Sequence, residues 1–355
     1  MIIPIFIMRR GCPHRCIFCN VRKTVGNYPE RLSKEAFDET VHRYLGSMKK
    51  RTDRVQIAFY GGNFTGMEKS EQLELLEFAR PFIEEGTVDA IRISTRPDCI
   101  DHDILDMLKK FNVLTVEIGA QSMVDDVLNL AKRGHSARDV KHAINMLKEQ
   151  GFETGMHLML GLPGDSPESF AYTVEQTIAL RPDFIRLHAT LVLEDTDLAA
   201  SYFRGDYTPL SLAEAIQMSA TALKRFEAVH IPVIRMGLYT TSEMEAPGSI
   251  VAGPHHPAFR SLVEESLYFD KASSLLETDR DRRKDVTFVL SPKDESAFRG
   301  QKNRNLHRIR KKFGLSAIRI AIDPNQTRRS LYIMNDNEMF NNYSSENQAQ
   351  GVSIV

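Results

Sequence analysis

The chain has few cysteines, no excess of either charge and no long apolar run, and each shortage excludes something. Four cysteines in 355 residues, all within the first hundred, cannot frame a chain of this size with disulfides, and clusters of this kind more often bind metal. Lys+Arg (46) and Asp+Glu (47) nearly cancel, so whole-chain charge argues for neither nucleic acid nor membrane, and any such argument has to be local. No apolar run reaches the roughly 20 residues of a spanning helix, so no membrane association is expected. The opening MIIPIFIMRR carries its charges after its apolar stretch, the reverse of a secretory signal. That order points to a cytoplasmic protein whose thiols are reduced or ligating.

What is present is a 42% hydrophobic composition, enough for one large domain and a smaller one. Six β-rich segments recur at residues 2–8, 54–60, 90–95, 113–119, 154–160 and 184–192, each apolar enough for a parallel strand buried on both faces. Helical stretches alternate with them at 33–47, 70–83, 103–110, 137–150 and 167–178. This alternation predicts right-handed βαβ units curling into an α/β, TIM-like partial (β/α)6 barrel, with its chemistry at the carboxyl ends of the strands. A further helix at 212–229 and a strand-like 231–238 complete a barrel domain over 1–240. The Gly- and Pro-rich stretch that follows opens a closing segment or linker at 241–284, then a small basic α/β domain at 285–340 and a flexible tail at 341–355.

Three of the four cysteines, Cys12, Cys16 and Cys19, stand in CPHRCIFC directly behind the first strand. A structural zinc would need a fourth ligand, from His14, Cys99 or somewhere distant. An iron-sulfur cubane held by three thiolates instead leaves one iron open to a substrate or cofactor. Cys99 is read as a packing residue. Later strand ends carry further candidates. Glu117, ionisable inside a hydrophobic strand, must be paired or functional. Gln121 lies at the end of the same strand, and Arg186 and His188 are two apart and share a face of the sixth. In LAKRGHSARD, Arg133, Gly134 and His135 precede a helix that Ser136 caps, which reads as an anion site or as a solvated turn. In GLPGDSPES, Asp165 followed three residues later by Glu168 reads as a helix cap.

The cysteine spacing, with the aromatic Phe18 before the last cysteine, resembles the CxxxCxφC motif of the radical S-adenosylmethionine superfamily, which follows the first strand of a partial barrel. The resemblance implies that Cys12, Cys16 and Cys19 ligate three irons of a 4Fe-4S cluster and that S-adenosylmethionine chelates the fourth. An electron from a donor such as a flavodoxin or ferredoxin would then cleave the cofactor to methionine and a 5′-deoxyadenosyl radical, which abstracts a substrate hydrogen. Cofactor contacts are implied at Phe18, at Gly61 and Gly62 of FYGGNFTG with Asn63 where the family usually has an acid, and at Glu117, Gln121, Arg186 and His188.

FYGGNFTG, STRPD, VEIGAQS, RGHSARDV, GLPGDSPESF and ATLVLEDTDLAASYFRGDYTPLSLAEA are, beyond the motif, similar to the radical domain of the elongator catalytic subunit and its bacterial relatives. That family acts on the wobble uridine of tRNA with acetyl-CoA. No segment after the barrel is long enough for the acetyltransferase domain, so the resemblance implies the radical chemistry, with tRNA or another RNA as the expected substrate. From Asp279 to Lys312, twelve Lys/Arg stand against five Asp/Glu, and Arg304, Arg308, Lys311 and Lys312 gather toward one side of a helix. Such a face suits a phosphate backbone, or is simply solvated. Two other readings remain open. An enzyme like the oxygen-independent coproporphyrinogen oxidases would have tyrosine at φ and a further cysteine, where this chain has Phe18 and Val21. A non-catalytic RNA-binding iron-sulfur protein finds its support in Asn63.

Overall fold

The computed structural model describes residues 1–8, 10–13, 15–26, 31–48, 54–238, 241–279, 284–334 and 353–354. The chain divides into two compact units, 1–257 and 258–355.

In the first unit seven strands form one sheet: β1 (Ile2–Phe6), β2 (Gln56–Tyr60), β3 (Ala90–Thr95), β4 (Val113–Gln121), β5 (Glu153–Leu160), β6 (Phe184–Ala189) and, past the two-residue β7 (Val192–Leu193), β8 (Val233–Met236). All neighbours are parallel and the spatial order follows the chain, β1-β2-β3-β4-β5-β6-β8, so every crossover advances in one direction and the sheet curls. Because β1 and β8 are its edges, the barrel is partial, as expected. The strand-like 231–238 supplies the seventh strand by pairing with β6.

Alternation along each strand separates two environments. Ile3, Ile57, Ile91, Ile93, Val116, Ile118, Met156, Leu158, Ile185 and Leu187 are fully buried on the outer face, beneath helices that contribute Phe37, Leu76, Leu105, Leu108, Ile144 and Leu147. The inner face is buried too, but it is polar: Gln56, Arg92, Thr115 and Glu117 are all less than 10% exposed. The strands therefore differ from the expected apolar ladder. A lumen that holds a site, rather than a core, is what such residues line.

The two-residue β7 pairs antiparallel with β9 (Ile250–Ala252), so part of the expected closing segment folds onto the first unit as a strap. The helix Phe259–Thr278, also expected within that segment, belongs to the second unit, and the unit boundary lies at 257/258 rather than 284/285. The physical reason is packing: Tyr268 and Ala272 of this helix share one apolar cluster with Val286, Phe288, Leu290, Phe298, Leu306, Ile309, Ile318 and Ile320. The sheet of this unit runs β12-β10-β11-β13, built from β10 (Asp285–Leu290), β11 (Ala317–Ile322), β12 (Leu331–Ile333) and β13 (Ser353–Ile354). The inner pair is parallel and each outer pair antiparallel. The expected tail at 341–355 lies outside the described residues, save for the two residues of β13. Among the described residues no helix is long and apolar enough to cross a membrane.

Candidate functional site

The loop that leaves β1 carries the three cysteines to the carboxyl edge of the sheet, and its path is fixed by close backbone contact. Gly11 has φ +75°, and a Cβ there would collide with the carbonyl oxygen of Asn63. A Cβ on Gly62 would lie 2.8 Å from the carbonyl oxygen of Ile7 and 2.9 Å from that of Arg10. The β1 loop and the turn after β2 are thus pressed together with no room for side chains. Gly61 opens that turn at φ +83°.

Asn63 joins the two loops to the end of β3. Its side chain is 1% exposed. Nδ2 donates to the Gly11 carbonyl at 2.6 Å and to the Cys99 sulfur at 3.3 Å, while Oδ1 accepts from Thr95 Oγ1 at 2.7 Å and from the Arg96 amide at 3.0 Å. An amide fits where an acid would not, because one partner is a carbonyl oxygen and needs a donor. The side chain, committed to four protein partners, acts as a clamp on the cysteine loop. Asn63→Asp is expected to cost about 1–3 kcal/mol, by facing a carboxylate oxygen to the Gly11 carbonyl in a buried site. Denaturant unfolding, together with the iron retained after reconstitution, checks this; unchanged values for both would sink it.

Other elements close around the same loop. The Ile17 amide donates to Ala131 O (3.3 Å), and Ile17 O accepts from the Leu198 amide (2.8 Å). Asn20 Nδ2 donates to Glu194 O at 2.8 Å, Lys23 Nζ reaches Glu194 Oε2 at 3.0 Å and Ser249 Oγ at 2.9 Å, and Thr241 Oγ1 donates to Lys23 O. Phe18 is half-buried against Val127, Ala131 and Leu162 on one side and Ile17, Val192, Leu198 and Tyr207 on the other. Cys12 and Cys19 are exposed, Cys16 is half-buried, and none of the four cysteines is in a disulfide. Among the described residues no three His, Cys, Asp or Glu side chains gather closely enough to hold one ion. A cubane, which takes each thiolate on a different iron, does not require that. His14 lies outside the described residues. Cys99 is turned toward Asn63, and burial pushes its thiol up, so it stays protonated.

Below the loop, the lumen is organised by Glu117, which is completely buried. Oε1 accepts from Arg92 Nη1 and Tyr60 OH, each at 2.8 Å. Oε2 accepts from His157 Nε2 and lies 3.0 Å from Arg186 Nε. Arg186 also donates to Tyr60 OH at 2.8 Å, with its guanidinium 4.9 Å from the centre of the Tyr60 ring. Arg92 extends the network by donating to Gln56 Oε1 at 3.1 and 3.0 Å. Burial opposes ionisation of Glu117, yet the His157 hydrogen bond and the charges around it hold the carboxyl well below the usual carboxylate range. Burial and the neighbouring carboxylate raise Tyr60, which remains a donor.

Gln121 ends β4 in a left-handed conformation (φ 65°), with its Oε1 buried and lacking a hydrogen-bond partner. His188, half-buried on β6, has an unpartnered Nδ1, and burial followed by the neighbouring His157, Arg235 and Arg186 pushes it down to about 3, so it is neutral. His135 donates from Nε2 to Ala120 O at 3.2 Å; burial and the Arg133 and Arg96 charges push it down to about 3 as well. Its Nδ1 is therefore a buried acceptor without a donor. Unsatisfied polar atoms at the strand ends suit a ligand rich in amino and hydroxyl groups, as S-adenosylmethionine is. The residues present fit that group.

The sequence singled out Glu117 and Arg186 but missed Tyr60, Arg92 and His157. The signal was the same for two of them: Arg92 in AIRIST and His157 in MHLML are ionisable residues inside apolar strands, as Glu117 is. Arg304, Arg308, Lys311 and Lys312 lie in the second unit on the helix Arg304–Phe313. Three of them lean on the unit's long helix, Arg304 paired with Glu265 at 3.0 Å, Arg308 4.1 Å from the Phe269 ring centre and Lys312 paired with Glu277 at 3.0 Å. Glu265 and Glu277 thus neutralise part of the expected cationic face.

Comparison with known proteins agrees with this geometry. The chain is 29% identical over 251 residues to the tRNA uridine(34) acetyltransferase of Methanocaldococcus infernus (59% of this chain, 47% of the relative). It is 33% identical over 217 residues to human Elongator complex protein 3 (54% of this chain, 39% of the relative). It spans about half the length of most of the curated relatives it matches. The solved structure of archaeal Methanocaldococcus infernus Elp3 with an N-terminal deletion superposes with a TM-score of 0.56 at 23% identity, covering 77% of this chain and 63% of that one, which shows a common fold. The family model of the radical SAM superfamily matches residues 6–177 and that of the radical SAM C-terminal domain residues 182–268. The chain belongs to the radical S-adenosylmethionine superfamily, among relatives of the elongator catalytic subunit's radical domain.

Proposed function

We propose that this protein is a radical S-adenosylmethionine enzyme acting on tRNA or another RNA. The observation that carries the reading is the cysteine loop of a radical SAM chain, clamped at the carboxyl edge of a partial barrel above a charged lumen. Cys12, Cys16 and Cys19 would hold a 4Fe-4S cluster, and Gly61, Gly62, Gln121 and His188 would lie against S-adenosylmethionine. When bound and reduced by a flavodoxin- or ferredoxin-like donor, the pair supplies a 5′-deoxyadenosyl radical for hydrogen abstraction. Glu117, Arg92, Arg186 and Tyr60 keep the lumen floor rigid, and burial keeps His188 neutral beside it.

The RNA side of the reading draws on the relatives named for tRNA uridine(34) and on one feature of the rim. A cleft of about 490 Å³ is lined by Met123, Val124, Asp125, Ala137, Arg138, Lys141 and Tyr172. Tyr172 is 49% exposed, Asp125 is committed to the Ala137 amide, and neither Arg138 nor Lys141 has an ion-pair partner among the described residues. An exposed ring beside unpaired cations suits a nucleotide. Met123 and Val124, two and three residues past the end of β4, line this cleft at the rim of the barrel.

The test is anaerobic reconstitution with iron and sulfide, followed by reduction with S-adenosylmethionine, with and without total tRNA. 5′-Deoxyadenosine should form, and tRNA should bind in a salt-sensitive manner weakened by Arg138→Ala combined with Lys141→Ala. A full cluster with no cleavage would overturn the enzyme reading. Cleavage with no tRNA binding at low salt would overturn the substrate.

A further inference from the structure

Arg133 is a buried cation without an anion. It is 8% exposed, and no carboxylate lies within ion-pair distance of it among the described residues. Its Nη1 donates to the Cys16 sulfur at 3.0 Å and its Nη2 to the Gly119 carbonyl at 2.6 Å, while Nε is buried with no hydrogen-bond partner. The other arginines of this region are compensated: Arg92 and Arg186 by Glu117, Arg96 by Asp98 at 2.8 Å. An uncompensated buried guanidinium costs several kcal/mol, so a site that retains one is built to receive negative charge.

The chain takes trouble to place it. After the helix Asp125–Leu130, Lys132 adopts φ 51° and the Arg133 amide donates to Leu128 O at 2.9 Å, which turns the side chain back toward β4. Gly119 leaves the approach clear, since a Cβ there would lie 3.3 Å from Nη2. The same charge helps to keep His135 neutral. Among the described residues its guanidinium hydrogen-bonds only the Cys16 sulfur of the cysteine loop and the Gly119 carbonyl of β4.

Resting on the reading that Cys16 ligates an iron, we propose that Arg133 is a positioning residue that donates to the Cys16 sulfur in the metal-bound form and raises the cluster's reduction potential. A hydrogen bond and a positive charge at a ligating sulfur favour the more negative, reduced cluster over the oxidised one. Reduction of the cluster by a weak donor would become correspondingly easier.

The experiment compares wild-type full-length protein with Arg133→Lys, Arg133→Gln and Arg133→Met, all reconstituted anaerobically. Iron content and the midpoint potential of the cluster are measured by spectroelectrochemical titration, without substrate or turnover. The expected order is wild type, then Lys, then Gln and Met at progressively more negative potential. Loss of iron from Gln and Met variants whose cluster-free proteins keep a wild-type fold would also support the proposal, since the sulfur is then no longer held. Wild-type iron content with an unchanged potential in Arg133→Met would overturn it. If the wild-type protein itself takes up no cluster, the reading of Cys16 fails instead, so the two failures are told apart.

Discussion

Cys12→Ala, Cys16→Ala and Cys19→Ala should each fall from about four irons per chain to a small residue after reconstitution, and cleavage of S-adenosylmethionine should drop to background. Cys99→Ala should keep both. The difference follows from where the thiols point. The three loop cysteines are carried past the edge of the sheet, two of them exposed, whereas Cys99 follows β3 and receives a hydrogen bond from Asn63. Burial keeps that fourth thiol protonated, the wrong state for a ligand. Losing it removes one weak acceptor, within about 1 kcal/mol. Iron analysis and 5′-deoxyadenosine assay of all four variants check the prediction, and a Cys99→Ala protein without iron would mean that the cluster draws on a different set of ligands.

Glu117→Leu should be the most damaging change in the lumen. It would strand Arg92 and Arg186 and leave Tyr60 and His157 without their acceptor, all inside the sheet. Removing one partner of a buried ion pair typically costs about 3–5 kcal/mol, because the surviving charge has no water to turn to. Glu117→Gln keeps the shape and one acceptor and should cost less. Urea unfolding of the cluster-free protein separates the effect from metal binding. A loss below about 1 kcal/mol for Glu117→Leu would show that water already solvates the arginines.

Much of this was legible in the sequence, for reasons particular to each element. The cysteine loop is picked out by its spacing, but that spacing leaves zinc and a cubane both open, and only the resemblance of CPHRCIFC to the CxxxCxφC motif chooses between them. The parallel strands are read from short apolar runs set off by helices, and all six expected strands are present. What the runs concealed is which face a lone charge occupies and what stands opposite it. Glu117 announces a need for partners, but Arg92, His157 and Arg186 lie 25, 40 and 69 positions away in sequence, and only the β3-β4-β5-β6 order brings them together. Asn63 likewise reads as a missing acid until its carbonyl partner is seen. Local chemistry also shifted by one residue: the helix Pro167–Leu180 is capped by Ser166 paired with Ser169, while Asp165 accepts from the Gly161 amide. The boundary between the units was hidden because the helix Phe259–Thr278 buries its apolar face against strands that come after it, which no local pattern records.

The clamp on the cysteine loop has a consequence for the order of assembly. Cys12, Cys16 and Cys19 are translated before the groups that hold their loop, which come from Asn63, Ala131, Arg133, Glu194, Leu198, Thr241 and Ser249. Those contacts span almost the whole first unit, so the loop has high contact order and cannot settle during early synthesis. Iron arriving at nascent thiols would meet a disordered tripod. Cluster loading would therefore be a late event, timed by the emergence of the strap near residue 250, and a chain stalled short of it should translate its cysteines without ever maturing them.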